Sequence, residues 1–174
     1  MNLILCGMMG CGKTTVGKAL AESLAWEFFD TDERIFDSHG EISEIFKQYG
    51  EEYFRGLEKE VVHTLAKKDR LVISTGGGLV LDEENVACLK DNGKVIYLQA
   101  KKETLVERLT GDSSRPLLEG EEALEGKIAK LLEVRAKVYE RVADKWIEVD
   151  EKTPDEIVKE ILAKIAEMGV TGTR

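Results

Sequence analysis

The chain has 174 residues, of which 43% are hydrophobic and 34% are charged. This balance is typical of a globular domain with a sizeable core and not of a disordered chain. The formal net charge is -9 and the sequence pI is near 4.9. An acidic chain argues against a broad nucleic-acid-binding surface, because phosphate backbones require clustered Lys and Arg.

The sequence carries no disulfide, zinc or targeting signal. Cys6, Cys11 and Cys88 lack the spacing of metal ligands or of a disulfide framework. The first residues have no basic segment and only a short apolar run, and no later segment approaches the ~20 apolar residues of a membrane span. We therefore expect a cytoplasmic monomer that binds neither nucleic acid nor membrane.

Short apolar segments alternate with helical patterns along the chain. This alternation predicts an α/β fold with a parallel sheet covered by helices on both faces. Apolar residues at helical spacing predict helices over 13–24 and 124–142, and Thr153 and Pro154 mark the start of the last helix. The five predicted strands are Leu3–Cys6, Glu27–Phe29, Leu71–Ser74, Val95–Leu98 and Trp146–Val149.

Two connections are too long for simple strand and helix units. A mainly helical stretch, interrupted at Gly40 and Gly50, is interpreted as an inserted helical subdomain of about residues 31–60. A polar stretch with several glycines is interpreted as a mobile lid loop of about residues 110–124. Since no linker or repeat separates these parts, we expect one domain over residues 1–174.

The first predicted strand leads into a phosphate-binding motif. Gly7–Thr14 fits G-x-x-x-x-G-K-[ST], and a helical pattern follows directly, as the motif requires. Backbone N–H groups and the helix start would surround a phosphate, with Lys13 on the β and γ phosphates and the Thr14 hydroxyl on Mg²⁺. The alternative is a glycine-rich turn that binds nothing. The residues predicted to bind the nucleotide here are Gly10, Cys11, Gly12, Lys13, Thr14 and Thr15.

Many phosphate-loop proteins end a later strand with an Asp that supports the metal. Here the strand at Leu71–Ser74 leads into Gly76–Gly78, so the carboxylate must come from another segment. Asp30 and Asp32 follow the second strand, and residues two apart in an extended backbone point to the same side. We expect both to face the phosphate loop at the carboxyl end of the sheet, with Asp30 near Mg²⁺ and Asp32 near an acceptor hydroxyl. Helix capping by one of them is the alternative.

Three arginines are candidates for anion recognition, since planar guanidinium groups donate paired bonds to carboxylates and phosphates. Arg135 falls on the apolar face of its helix, where it either binds a ligand or extends its head to solvent. Arg55 precedes Glu58 by three residues, so Glu58 either orients it or forms a surface pair with it. Arg115, in the predicted lid, either closes over phosphates or is an ordinary loop residue.

Taken in this order, these motifs resemble the shikimate kinases. The resemblance extends from the phosphate loop to about residue 160. It implies an α/β nucleoside-monophosphate-kinase-like fold with a five-stranded parallel sheet. It also implies Mg-ATP-dependent transfer of the γ-phosphate to the 3-hydroxyl of shikimate, giving shikimate 3-phosphate in aromatic amino-acid biosynthesis. The matching segments are Gly7–Thr14, Asp30–Asp32, Phe54–Arg55 with Glu58, Thr75–Gly78, Arg115–Leu118, and Arg135 with Tyr139.

The resemblance also assigns roles to positions of this chain. ATP and shikimate are the implied partners, and Lys13 and Arg115 match groups that face the transferred phosphate. Arg108 and Pro154 match positions that flank the adenine. Ala25 departs from the family, which often has Gly at the end of the first helix. The positions that match the shikimate site are Asp32, Arg55, Glu58, Gly76, Gly77, Gly78 and Arg135, with the two arginines on the shikimate carboxylate.

Two other functions compete with this interpretation. A gluconate kinase would use the same phosphate machinery on another polyhydroxy acid, although the Phe54–Arg55 and triple-glycine matches weigh against it. A GTP-dependent switch would need a guanine-binding motif, and none follows the D-x-x-G match at Asp37–Gly40.

Overall fold

The structure is a computed structural model that describes residues 1–111 and 123–169. Most of the predicted lid, including Arg115, lies outside these described residues. The strands are β1 (Asn2–Cys6), β2 (Glu27–Asp30), β3 (Leu71–Ser74), β4 (Gly93–Gln99) and β5 (Lys145–Glu148). They form one parallel sheet in the order β2-β3-β1-β4-β5, which confirms the predicted sheet.

The described helices include the two whose bounds the sequence predicted, α1 and α6. A short 3-10 turn at Leu79–Leu81 follows β3. The helix α1 packs on β3 and against α7, whereas α4 and α6 pack on β4. The helices are α1 (Lys13–Leu24), α2 (Thr31–His39), α3 (Ile42–Leu65), α4 (Glu83–Asp91), α5 (Lys102–Leu109), α6 (Leu124–Val142) and α7 (Pro154–Glu167).

The central strands are apolar because helices cover them. Every residue of β1 and β3 is buried, whereas the edge strands β2 and β5 are partly exposed. The core is contiguous around β1, where the chain turns from one half of the sheet to the other. In parallel α/β sheets ligands bind at the carboxyl ends of the strands at such a turning point.

The inserted helical stretch has its own small apolar cluster. Ile35 of α2 packs there with Ile45, Phe54 and Leu57 of α3. Within α3, Gly50 has φ 82° and ψ 173°, so the helix is kinked there. The interruption predicted at this glycine is therefore confirmed.

One helix end departs from the usual sequence signal, and another follows it. The α1 helix ends at Ala25 with φ 53°, a left-handed conformation in which glycine is the unstrained choice. The α7 helix begins with a capping box, in which Thr153 and Glu156 bond to each other's backbone N–H groups.

Among residues 1–111 and 123–169, no helix combines the length and apolarity needed to cross a lipid bilayer.

Candidate active site

The loop between β1 and α1 forms one wall of the site. Gly7 has φ 144°, and a Cβ there would lie 2.5 Å from the carbonyl oxygen of Leu98, so this position requires glycine. Lys13 Nζ donates hydrogen bonds to the carbonyl oxygens of Gly7 and Met8, each at 2.9 Å. The ammonium group thus lies within the loop, as its role toward a phosphate requires.

A cavity of about 500 Å³ lies against this loop, at the carboxyl ends of β1, β2 and β3. Arg108 reaches over the loop and donates from Nη1 to the carbonyl oxygen of Gly10 at 3.2 Å. Asp32, Gly76 and Gly77 contribute to the same lining. The cavity is lined by all the residues predicted for nucleotide and metal, namely Gly10, Cys11, Gly12, Lys13, Thr14, Thr15, Asp30, Arg108 and Pro154.

Lys152 lines this cavity as well, and sequence analysis missed it. Its Nζ donates to Glu160 Oε2 at 2.6 Å, so a side chain on α7 holds it in place. The only signal in the sequence was its position two residues before Pro154.

Asp30 connects the metal candidates. Its Oδ2 accepts a hydrogen bond from Thr14 Oγ1 at 2.7 Å, which brings the two predicted Mg²⁺ ligands together. Its Oδ1 caps α2 by accepting from the N–H groups of Asp32 and Glu33 at 3.0 and 3.3 Å. Both interpretations of this aspartate, capping and metal support, are therefore compatible with its geometry.

The extended backbone predicted for Asp32 is wrong. Asp32 lies in the first turn of α2 and not in an extended segment, so strand alternation does not aim it. It reaches the cavity because Thr31, fully buried, accepts a hydrogen bond from the Gly76 N–H at 2.9 Å and holds the helix start against the glycine loop.

The glycine loop after β3 is where the predicted acceptor residues meet. A Cβ on Gly76 would lie 2.6 Å from Asp32 Oδ1 and 3.1 Å from Glu58 Oε1. The corresponding Cβ on Gly77 would lie 3.1 Å from Arg135 Nη1, and one on Gly78 would lie 2.6 Å from Arg55 Nη2. Each glycine thus makes room for a charged side chain.

Glu58 and Arg135 are buried charges with unused hydrogen-bonding capacity. Only 1% of Glu58 and 4% of Arg135 is exposed. Arg55 Nη1 donates to Glu58 Oε2 at 2.7 Å, and Tyr139 supports the loop by donating from its hydroxyl to the Gly77 carbonyl oxygen. Among the described residues, Glu58 Oε1 and Arg135 Nη1 have no hydrogen-bond partner. Buried polar atoms in this state are expected where a polar ligand binds.

Burial dominates the titration of this centre. It raises the pKa of Glu58 to about 7, the charge of Asp32 adds to the effect, and Arg55 and Arg135 only partly offset it. Burial works against the charge of Arg55, but the carboxylates of Glu58 and Glu51 raise the pKa of its guanidinium above the ordinary value. Arg55 therefore stays charged, while Glu58 titrates near neutral pH.

We expect Glu58 to make the protein less stable as the pH rises. Its pKa is about 4.5 when unfolded and about 7 when folded, so the folded state holds the extra proton between these values. The free energy of unfolding should fall across this window by about 3 kcal/mol at most. In urea unfolding at pH 5 and pH 8, Glu58→Gln should remove this decrease, whereas the exposed-site variant Glu44→Gln should retain it. Equal decreases in wild type and Glu58→Gln would contradict the assignment.

Comparison with known proteins places the chain in a family. The family model described as "Shikimate kinase" matches residues 9–166. A shikimate kinase of Persephonella marina is 46% identical over 165 residues, which cover 94% of this chain and 98% of that protein. A shikimate kinase of Sulfurihydrogenibium is also 46% identical, covering 94% of this chain and 97% of the relative.

Solved structures agree with this placement. A shikimate kinase from Acinetobacter baumannii, in complex with shikimate, has a TM-score of 0.93 at 38% identity and covers 98% of this chain and 95% of its own. A gluconokinase from Sinorhizobium meliloti has a TM-score of 0.63 at 18% identity, a likeness that shows only the shared fold. The chain belongs to the shikimate kinase family, and it is therefore an ATP-dependent kinase.

Proposed function

We propose that the chain transfers the γ-phosphate of ATP to the 3-hydroxyl of shikimate, with the nucleotide in the cavity at the phosphate loop and shikimate at the glycine loop. One observation carries the proposal. Two arginines and two carboxylates from three different helices converge on Gly76–Gly78, next to the loop that holds Lys13. This is the polar, anion-binding surface that a small hydroxy acid requires.

The phosphate loop supplies positioning and positive charge on the nucleotide side. The loop residues Gly10–Gly12 and the start of α1 line the cavity, and Lys13 would exchange the carbonyl oxygens of Gly7 and Met8 for phosphate oxygens. Arg108 and Pro154 line the part of the cavity proposed for the adenine.

The residues at the metal position fit Mg²⁺. Thr14 and Asp30 offer a hydroxyl and a carboxylate, the hard oxygen donors that this ion prefers, and the two are already in contact. When bound, Mg²⁺ neutralises charge that develops on the β and γ phosphates. Because Asp30 also caps α2, its carboxylate is held in position before the metal arrives.

Asp32 and the two arginines would act on the acceptor. Asp32 lines the cavity beside Gly76, where it would orient the acceptor hydroxyl or accept its proton. Arg135 and Arg55 would bind the acceptor carboxylate. Arg115, which lies outside the described residues, would act on the transferred phosphate.

We also propose that the protein is a cytoplasmic monomer and a single domain.

The proposal is tested by measuring ADP release in a coupled assay with Mg-ATP. Shikimate, gluconate and no acceptor are compared at equal concentration. We expect rapid release with shikimate only, because the charged residues at the glycine loop match the positions that bind shikimate in the family. Release with gluconate, or release that ignores both acceptors, would refute the proposed acceptor.

Arg135→Ala should weaken shikimate binding far more than ATP binding. Loss of a buried charged donor costs about 2 kcal/mol or more, which corresponds to a KM for shikimate about 30-fold higher. The KM for ATP should stay within about twofold. Arg135→Lys keeps the charge but loses the planar guanidinium that donates two parallel bonds, so its KM for shikimate should be intermediate. Arg141→Ala, on the exposed face of α6, should behave as wild type. An equal rise in both KM values would exclude a role on the acceptor.

Asp32→Asn should lower turnover while leaving nucleotide affinity nearly unchanged. Loss of a positioned acid–base group reduces kcat by about 10²-fold or more. The measurement is kcat and both KM values, with Asp37→Asn, an exposed position of the same helix, as the matched control. An unchanged kcat would remove Asp32 from the reaction.

A further inference from the structure

Arg55 is held by two glutamates that differ in character. Its Nη1 donates to Glu58 Oε2 at 2.7 Å, and its Nε and Nη2 donate to Glu51 Oε1 at 3.3 and 2.9 Å. The side chain of Glu58 is 1% exposed, whereas that of Glu51 is 55% exposed. Glu58 is therefore a fixed partner of Arg55, whereas the Glu51 carboxylate can break its contact with Arg55 and move into solvent.

Only one edge of the guanidinium remains suitable for a carboxylate. The edge between Nη1 and Nη2 faces Gly78, where a Cβ would lie 2.7 and 2.6 Å from these atoms, and Glu58 already bonds to Nη1. The other edge, between Nε and Nη2, presents two parallel N–H groups, the geometry of a paired bond to a carboxylate. Glu51 occupies this edge.

Helical spacing explains why Glu51 reaches it, because side chains four residues apart meet on the surface of a helix. Gly50 breaks α3 immediately before Glu51, so Glu51 opens the second helical segment, one turn before Arg55. A carboxylate at a helix start is stabilised by the free N–H groups there, with or without Arg55.

We propose that Glu51 is an internal competitor, a carboxylate that occupies the acceptor-binding edge of Arg55 in the empty enzyme and must be displaced by the carboxylate of the incoming acceptor. The inference rests on the proposed function, in which Arg55 binds that group. Glu51 keeps Arg55 oriented between turnovers and sets the affinity for the acceptor. It also excludes neutral polyols, which carry no charge with which to displace it.

The test is the KM for shikimate at saturating Mg-ATP in wild type, Glu51→Gln and Glu52→Gln. An exposed ion pair of this kind contributes little, so Glu51→Gln should lower the KM for shikimate by about three- to fivefold. Its kcat and its KM for ATP should remain within about twofold of wild type. Glu52 is the matched control, because it is exposed, lies in the same turn and forms no ion pair within the described part of the chain.

A further variant separates contact from long-range charge. Glu51→Asp keeps the charge but withdraws the carboxylate by one methylene, so its KM should also fall below that of wild type. An unchanged or raised KM in Glu51→Gln would overturn the inference, as would an equal decrease in Glu52→Gln or a wild-type KM in Glu51→Asp. Absence of shikimate-dependent ADP release from the unaltered chain would refute the proposed function itself, and with it this inference.

Discussion

The absence of side chains at Gly76–Gly78 is the constraint on which the charged centre depends. A Cβ on the first glycine would displace Asp32 and Glu58, and a Cβ on the last would displace Arg55. Since Glu58 is buried and bonded to Arg55, moving either group would leave a buried charge without its partner, a costly state. Close approach of charged side chains, and not turn geometry, therefore favours glycine at these three positions, since none of them has a positive φ and Gly78 has an ordinary φ of -96°.

The sheet sets the distance between the two halves of the site. The phosphate loop follows β1 and the glycine loop follows β3, and these strands are paired neighbours, with Leu5 opposite Ser74. The N–H and hydroxyl groups of Thr75 both donate to the Leu5 carbonyl oxygen at 3.1 Å, which extends the pairing to the start of the glycine loop. Adjacent strands lie about 4.8 Å apart, so two ligands bound at their ends are brought close together. Phosphoryl transfer depends mainly on such positioning.

Local signals in the sequence predicted the fold well, because each has a local physical cause. The phosphate loop, the bounds of α1 and α6, and the capping box at Thr153 all follow from neighbouring residues. Asp32 lines the cavity at the phosphate loop, but a helix start and not a strand aims it there. Glu51 and Glu52 both lie at helical spacing from Arg55 in the segment after Gly50, and residue types alone do not show which of them contacts the guanidinium.

The proposed function has a chain of net charge -9 bind anions here, because its positive groups are concentrated and its acids are placed to orient them. Arginine stays charged beside a carboxylate, so Glu58 fixes the direction of Arg55 without removing its charge. The remaining acidic surface is screened over about 8 Å at physiological ionic strength, so it acts weakly on a ligand held by direct contacts. A carboxylate on the exposed side of the same arginine makes the site selective among ligands, because only a ligand that matches its charge and geometry can replace it. The two glutamates thus act differently on one guanidinium. The buried one fixes its position, and the exposed one must be displaced before a ligand can bind to it.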